Sequence, residues 1–139
     1  MKCFIPNFAK RGGLVNVVTI DELTRDVLMV AYADEEAFRM TLKTAEAHYH
    51  STSKKCLWKK GGTSGCVQHV SDMPIDCDGD AIIYVVRQDG VGACHTDAKS
   101  CFYRSVIGAK QIMDAPKAGD AESLRVEEIG LHWSLEGLA

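Results

Sequence analysis

Three aspartates alternate with a cysteine and a glycine in the segment 76–80, which reads Asp-Cys-Asp-Gly-Asp. If this segment is extended, successive side chains point to opposite faces. The carboxylates of Asp76, Asp78 and Asp80 would then share one face, and the Cys77 thiol would lie on the other. Carboxylates are hard ligands that suit Mg²⁺, whereas a thiolate is a soft ligand that selects zinc. The segment therefore predicts Mg²⁺ at the three aspartates and a second, softer metal at the cysteine.

An EF-hand calcium loop is the main competing interpretation of these aspartates. In that loop a glycine follows the third acidic position, and a bidentate Glu closes the loop at position twelve. Here Gly79 precedes the third acid, and the twelfth residue from Asp76 is Arg87. The EF-hand interpretation is therefore excluded.

Two more cysteines, Cys94 and Cys101, follow Cys77 along the chain and lie seven residues apart. This spacing differs from the close Cys pairs of structural zinc modules, and no fourth Cys or His ligand is indicated. Three thiolates with one open coordination position describe a catalytic zinc site. A single cysteine is more often a small buried apolar residue, but three of them beside an acidic cluster and His95 favour a metal site.

A lysine-rich segment around Trp58 leads into the glycine-rich loop 61–65. Backbone amides and hydroxyls in such a loop could hold a phosphate group, with lysines supplying positive charge. The candidate substrate-binding residues are Trp58, Lys59, Lys60, Thr63 and Ser64. The alternative is that the lysines are solvated and protect a strand edge from pairing.

His48 and His50 fall on one face of a predicted strand over residues 46–53. They could form a ligand pair for a metal or a substrate. Histidines in such positions more often make ordinary structural hydrogen bonds. The sequence leaves both interpretations open.

Composition is that of an ordinary globular protein, with 46% hydrophobic and 25% charged residues in 139. We expect one domain over residues 1–109 and a C-terminal tail, residues 110–139, that packs on it or extends it. A formal net charge of −3 gives no general attraction to nucleic acid. The longest apolar run, residues 27–33, is far shorter than the ~20 residues that cross a bilayer. With no secretory signal at the start, we expect a cytoplasmic protein with reduced cysteines.

The order of elements predicts an α+β fold that is rich in β structure. Residues 14–20 and 27–32 read as a β-hairpin, because both are rich in β-branched and apolar residues and a polar turn separates them. Residues 35–44 read as the main helix, with Asp34 as its N-cap. Further strands are expected over 66–70 and over 75–87, the latter central because it is apolar on both faces. Residues 100–105 read as a last strand or a packed loop.

Four segments together resemble phosphoribosyl-AMP cyclohydrolase, an enzyme family of histidine biosynthesis. They are EAHYHSTS, LWKKGGTSGCVQ, DCDGDA and GACHTDAKSCFYR, and the resemblance covers residues 14–107. Two positions depart from the family pattern. Gly62 stands where the family carries Glu, and His50 stands where relatives are usually aromatic, so the resemblance does not make His50 a ligand.

The resemblance implies a zinc hydrolase that opens the adenine ring of 1-(5-phosphoribosyl)-AMP between N1 and C6, with Mg²⁺ near a substrate phosphate. His95, next to a zinc ligand, is the candidate general acid/base; alternatively it only supports a ligand. The implied fold is a strongly bent, pseudo-barrel-like mixed sheet in an intertwined homodimer. Each zinc would be shared, with Cys77 from one chain and Cys94 and Cys101 from the other.

Two other functions remain open at this stage. One is a zinc-binding interaction module without catalysis, which would need four closed ligands. The other is a hydrolase resembling a nucleobase deaminase, which uses a metal-bound water in the same way. The deaminase signatures His-x-Glu and Pro-Cys-x-x-Cys do not occur in the sequence.

Overall fold

A strongly curled six-stranded sheet with one α-helix forms the part of the chain, residues 4–104, that the computed structural model describes. The strand order is β4-β3-β2-β1-β6-β5. The elements in chain order are β1 (Val15–Asp21), β2 (Val27–Ala33), α1 (Glu35–Thr44), β3 (His48–Ser51), β4 (Cys56–Lys59), β5 (Gln68–Asp72) and β6 (Ala81–Gln88). The predicted α+β fold with a bent mixed sheet is confirmed. The predicted boundary at residue 109 and the tail 110–139 lie outside the described residues.

The hairpin and the helix form as their local sequence predicts. Strands β1 and β2 pair antiparallel, and the Asp21 carboxylate closes their turn by accepting the amide N–H of Leu23 at 2.9 Å. The Asp34 carboxylate caps α1 by accepting the N–H of Ala37 at 2.8 Å. The helix ends at Thr44, and the C-cap residue Ala45 adopts the left-handed conformation with φ 55°. An N-cap of this kind stabilises a helix by about 1 kcal/mol.

Strand β6 is central, as predicted. It lies parallel to β1 on one side and antiparallel to β5 on the other. The fully buried side chains of Val17, Tyr84 and Val86 form part of the hydrophobic core, and the Tyr84 hydroxyl lies 3.3 Å from that of Thr41 in α1. The predicted strand begins too early, however, because residues 76–80 form a turn rather than extended chain.

Hydrogen bonds between the segment before β3 and strand β5 curl the sheet into a half-barrel. The N–H of Ala47 donates to the Gln68 carbonyl at 2.9 Å, and the N–H of Val70 donates to the Ala45 carbonyl at 2.8 Å. Inside, the Tyr49 hydroxyl donates to the Gln68 side-chain carbonyl at 2.5 Å. This closure places the loop after β4 beside the loop after β6. None of the helices in residues 4–104 is long and apolar enough to span a membrane.

Candidate metal centre and substrate cavity

The carboxylates of Asp76, Asp78 and Asp80 converge in the turn before β6, with their ligand oxygens within 4.8 Å of one another. The Asp76 carboxylate accepts the N–H of Gly79 at 2.8 Å, which holds the turn closed. The Asp80 carbonyl accepts the N–H of Asn16 at 3.0 Å and so joins the turn to β1. The prediction that an extended strand would bring the carboxylates together is wrong. A turn brings them together instead.

Two cations from the 3₁₀ helix Phe8–Arg11 lie against this acidic cluster. Lys10 Nζ contacts Asp78 and lies 3.0 Å from an Asp80 oxygen, and Arg11 Nε donates to the same oxygen at 2.7 Å. Hydrogen bonds from Lys10 and then Arg11 lower the pKa of Asp80 to about 2, against the opposing effect of burial. The Asp80 carboxylate is therefore ionised at neutral pH, as a ligand for a hard cation must be.

The Cys94 and Cys101 thiols lie in the loop after β6, close enough for each to influence the pKa of the other. The N–H of Cys94 donates to the Ala98 carbonyl at 3.1 Å, and the N–H of Cys101 donates to the Leu28 carbonyl at 2.8 Å. A Cβ atom at Gly92 would lie 2.3 Å from the Ala98 carbonyl oxygen, so this loop requires glycine there. Residues 100–104 contain no strand, so of the two predicted structures for this segment the loop is the one observed.

The two thiols differ in how readily they ionise. Burial opposes ionisation of Cys94, but hydrogen bonds from the hydroxyl and amide of Thr96 outweigh it, so the pKa of Cys94 lies below its usual value. Burial and the neighbouring Cys94 raise the pKa of Cys101 to about 11. The two neighbouring sulfurs form a soft donor pair suited to zinc.

Cys77 lies away from this pair. It is exposed in the turn of the acidic cluster, near the start of β6, whereas Cys94 and Cys101 follow the end of β6. Within residues 4–104, the acidic cluster is the only group of three or more His, Cys, Asp or Glu side chains with ligand atoms close enough to hold one ion. One chain therefore places two of the predicted zinc ligands together and the third elsewhere.

A cavity of about 350 Å³ lies beside Cys94, one of the two thiols. His95 is exposed and lines it with Cys94. All five residues predicted to bind substrate also line it, namely Trp58, Lys59, Lys60, Thr63 and Ser64. The structure thus brings the lysine-rich segment, the glycine-rich loop and the Cys94-His95 pair to one place.

Cys66 is a wall residue of this cavity that the sequence analysis missed. A hydrogen bond from Ser64 and another from the Val91 amide lower the pKa of the Cys66 thiol. A single cysteine after a glycine-rich loop carries no spacing signal, and its position depends on the contact between two distant loops.

The two histidines of β3 make local hydrogen bonds. His48 is buried, with Nδ1 2.8 Å from the Glu46 carbonyl oxygen. His50 Nδ1 lies 2.9 Å from the second carboxylate oxygen of Asp34, the residue that caps α1. These contacts favour the structural interpretation over a ligand pair.

Comparison with known proteins shows which family the sequence matches. The family model "Phosphoribosyl-AMP cyclohydrolase" matches residues 29–103. A phosphoribosyl-AMP cyclohydrolase of Nitratidesulfovibrio vulgaris strain DP4 is 47% identical over 124 residues, which cover 89% of this chain and 98% of the relative. The corresponding enzyme of Archaeoglobus fulgidus is 57% identical over 96 residues, covering 69% of this chain and 88% of the relative. That of Methanothermobacter thermautotrophicus is 52% identical over 113 residues, covering 80% and 81%.

These relatives are hydrolases, and the sequence matches place this chain in that class of enzyme. The chain is a member of the phosphoribosyl-AMP cyclohydrolase family.

Proposed function

We propose that this chain opens the adenine ring of 1-(5-phosphoribosyl)-AMP between N1 and C6, producing the formimino-carboxamide ribonucleotide of histidine biosynthesis, and that the reaction depends on zinc. Family membership supports the substrate. One observation supports this chemistry. A thiol of the soft donor pair, a histidine and a loop suited to phosphate all line the same cavity.

In this proposal Cys94 and Cys101 hold zinc together with a Cys77 thiol. When bound, zinc supplies hydroxide at neutral pH, because coordination lowers the pKa of water from 15.7 to about 7. His95 would take the proton of the attacking water and deliver it to the leaving ring nitrogen, a role that histidine side chains commonly perform in catalysis. The side chain lies next in sequence to a zinc ligand and faces the cavity, where the reacting ring would bind.

The acidic cluster would hold Mg²⁺ against a substrate phosphate, which fixes the position of the reacting ring. Its three carboxylates are close enough to hold one ion, and Asp80 is fully ionised at neutral pH. Lys10 and Arg11 neutralise part of this charge. We expect Mg²⁺ to displace Lys10 from the cluster when it binds.

We further propose a homodimer in which each zinc is shared, with Cys77 supplied by the second chain. The separation of Cys77 from the Cys94 and Cys101 pair within one chain supports this arrangement. A two-fold axis would repeat the shared site twice. Zinc binding would then stabilise the dimer, because the complete ligand set exists only in the assembled form. The predicted cytoplasmic location suits thiol ligands, which must stay reduced.

The alternative functions gain less support from the site. A zinc-binding interaction module would close all four coordination positions with protein ligands, whereas here an open cavity borders Cys94. A deaminase would release ammonia from the ring and leave it closed. The products of the reaction therefore distinguish the proposed function from a deaminase.

The proposal is tested by incubating the purified protein with phosphoribosyl-AMP and following ring opening by ultraviolet absorbance. We expect turnover that a chelator abolishes and added zinc restores. Cys94→Ser should lose zinc and turnover together, whereas Cys56→Ser, at an exposed cysteine outside the cavity, should keep both. Full turnover by zinc-free Cys94→Ser would contradict the proposed chemistry.

A further inference from the structure

Lys60 carries a buried ammonium group at the wall of the cavity. The residue is only 8% exposed, and its Nζ donates to the Ala93 carbonyl at 2.5 Å. The same nitrogen lies 5.3 Å from the centroid of the Trp58 ring. Its backbone N–H donates to the Ala47 carbonyl at 3.0 Å, which fixes the start of the side chain at the end of β4. The ammonium is therefore bound to the Ala93 carbonyl and lies over the Trp58 ring.

No carboxylate within the described residues lies within 4.0 Å of this ammonium. The neighbouring Lys59 contrasts with it, since its exposed Nζ lies 2.5 Å from a Glu46 oxygen. A buried charge is costly unless an opposite charge lies close to it. Among residues 4–104, the charge of Lys60 therefore has no carboxylate partner.

The thiol pair is one candidate source of the balancing negative charge. Lys60 binds the carbonyl of Ala93, the residue directly before Cys94. Lys60 and Cys94 also line the same cavity. Three thiolates around a divalent cation leave one net negative charge, and one ammonium balances it.

We propose that Lys60 is a positioning residue of the thiolate site rather than a ligand for a substrate phosphate. Its charge balances the metal-bound thiolates, and its hydrogen bond to Ala93 holds the loop that carries Cys94. This inference rests on the proposed zinc site and adds a residue that tunes it.

The test measures zinc affinity by competition with a chromophoric chelator in Lys60→Gln, Lys60→Met and Lys60→Arg. Glutamine keeps a donor for Ala93 without the charge, methionine removes both, and arginine keeps the charge. Outer partners of metal ligands typically contribute about 10- to 100-fold in affinity. We expect a loss of that size in the glutamine and methionine variants and a smaller loss in the arginine variant. Lys43→Gln makes the same charge change on the exposed surface of α1 and should bind zinc like the wild type.

Kinetics with saturating zinc provide the second readout. We expect the uncharged Lys60 variants to lose kcat with little change in KM. Wild-type zinc affinity in Lys60→Gln, combined with a raised KM, would overturn the inference and assign Lys60 to the substrate phosphate. Circular dichroism checks folding, and the comparison of Lys60→Gln with Lys60→Arg alone decides the outcome if Lys60→Met does not fold. If the wild type binds no zinc, the proposed function fails. If the wild type binds zinc and the Lys60 variants bind it with the same affinity, this inference alone fails.

Discussion

A mixed dimer of two inactive chains tests whether each zinc is shared between subunits. The Asp80 carbonyl bonds to Asn16 at the start of β1, and the Cys101 amide bonds to Leu28, which lies opposite the end of β1 near Ile20. About four strand residues separate these two levels, or about 13 Å along the strand. Zinc–sulfur bonds are only about 2.3 Å long. Since Cys77 lies beyond Asp80, one chain in this conformation does not place all three thiols around one ion.

The perturbation is Cys77→Ser in one chain and Cys94→Ser in the other, with the two refolded together. Each mixed dimer would have one intact site, made of Cys77 from the second chain and Cys94 with Cys101 from the first, and one site broken twice. Random pairing makes half of the dimers mixed, so about a quarter of wild-type ring-opening activity should return. Two affinity tags verify and isolate the mixed dimer, whose activity should be about half that of the wild-type dimer.

The matched control pairs Cys94→Ser with Cys101→Ser. Both changes fall in the same half of the shared site, so every site in that mixed dimer is broken and no activity should return. A verified mixed dimer of the Cys77 and Cys94 variants that stays inactive would refute the reasoning and assign each zinc to one subunit.

Three further predictions concern single residues. His95→Ala should keep zinc but lose about 10²- to 10⁴-fold in turnover; loss of zinc would show that His95 is a ligand or supports one. Asp78→Asn should weaken the dependence of turnover on Mg²⁺ while zinc content stays unchanged, and an unaltered Mg²⁺ titration would reject the assignment. Burial raises the pKa of Tyr84 from 10.0 to about 12, so its phenol ionises first in the unfolded chain. The contribution of Tyr84 to the free energy of unfolding should be constant below pH 10 and fall by about 1.4 kcal/mol per pH unit between pH 10 and 12. In Tyr84→Phe, the free energy of unfolding measured by urea denaturation should fall less steeply with pH over this range, by about 1.4 kcal/mol per pH unit. Equal pH dependence in the variant and the wild type would contradict this prediction.

Local signals in the sequence were sufficient for some elements of the fold. The hairpin of β1 and β2 has alternating and β-branched residues around a polar turn, and α1 has a capping aspartate with acidic residues in its first turn. Strand β4 was not predicted, because Cys56–Lys59 has no clear alternation. The sheet closure through Ala47 and Gln68 was also missed, since it joins segments distant in the chain.

The candidate site shows the same division between local and distant contacts. The Asp-x-Asp-x-Asp pattern correctly indicated that the carboxylates converge, although the backbone there is a turn held by Asp76 and Gly79. Residue types indicated a soft metal at the cysteines, but spacing alone could not show that Cys77 lies apart from Cys94. The buried position of Lys60 also depends on a contact with Ala93 across 33 residues.

The measurement that tests the central claim most directly is the reaction of phosphoribosyl-AMP in water enriched in oxygen-18. Hydrolytic addition at C6 predicts a ring-opened product with one oxygen atom from solvent, detected by mass spectrometry, and no free ammonia. Release of ammonia with an intact ring, or a ring-opened product without solvent oxygen, would contradict the account.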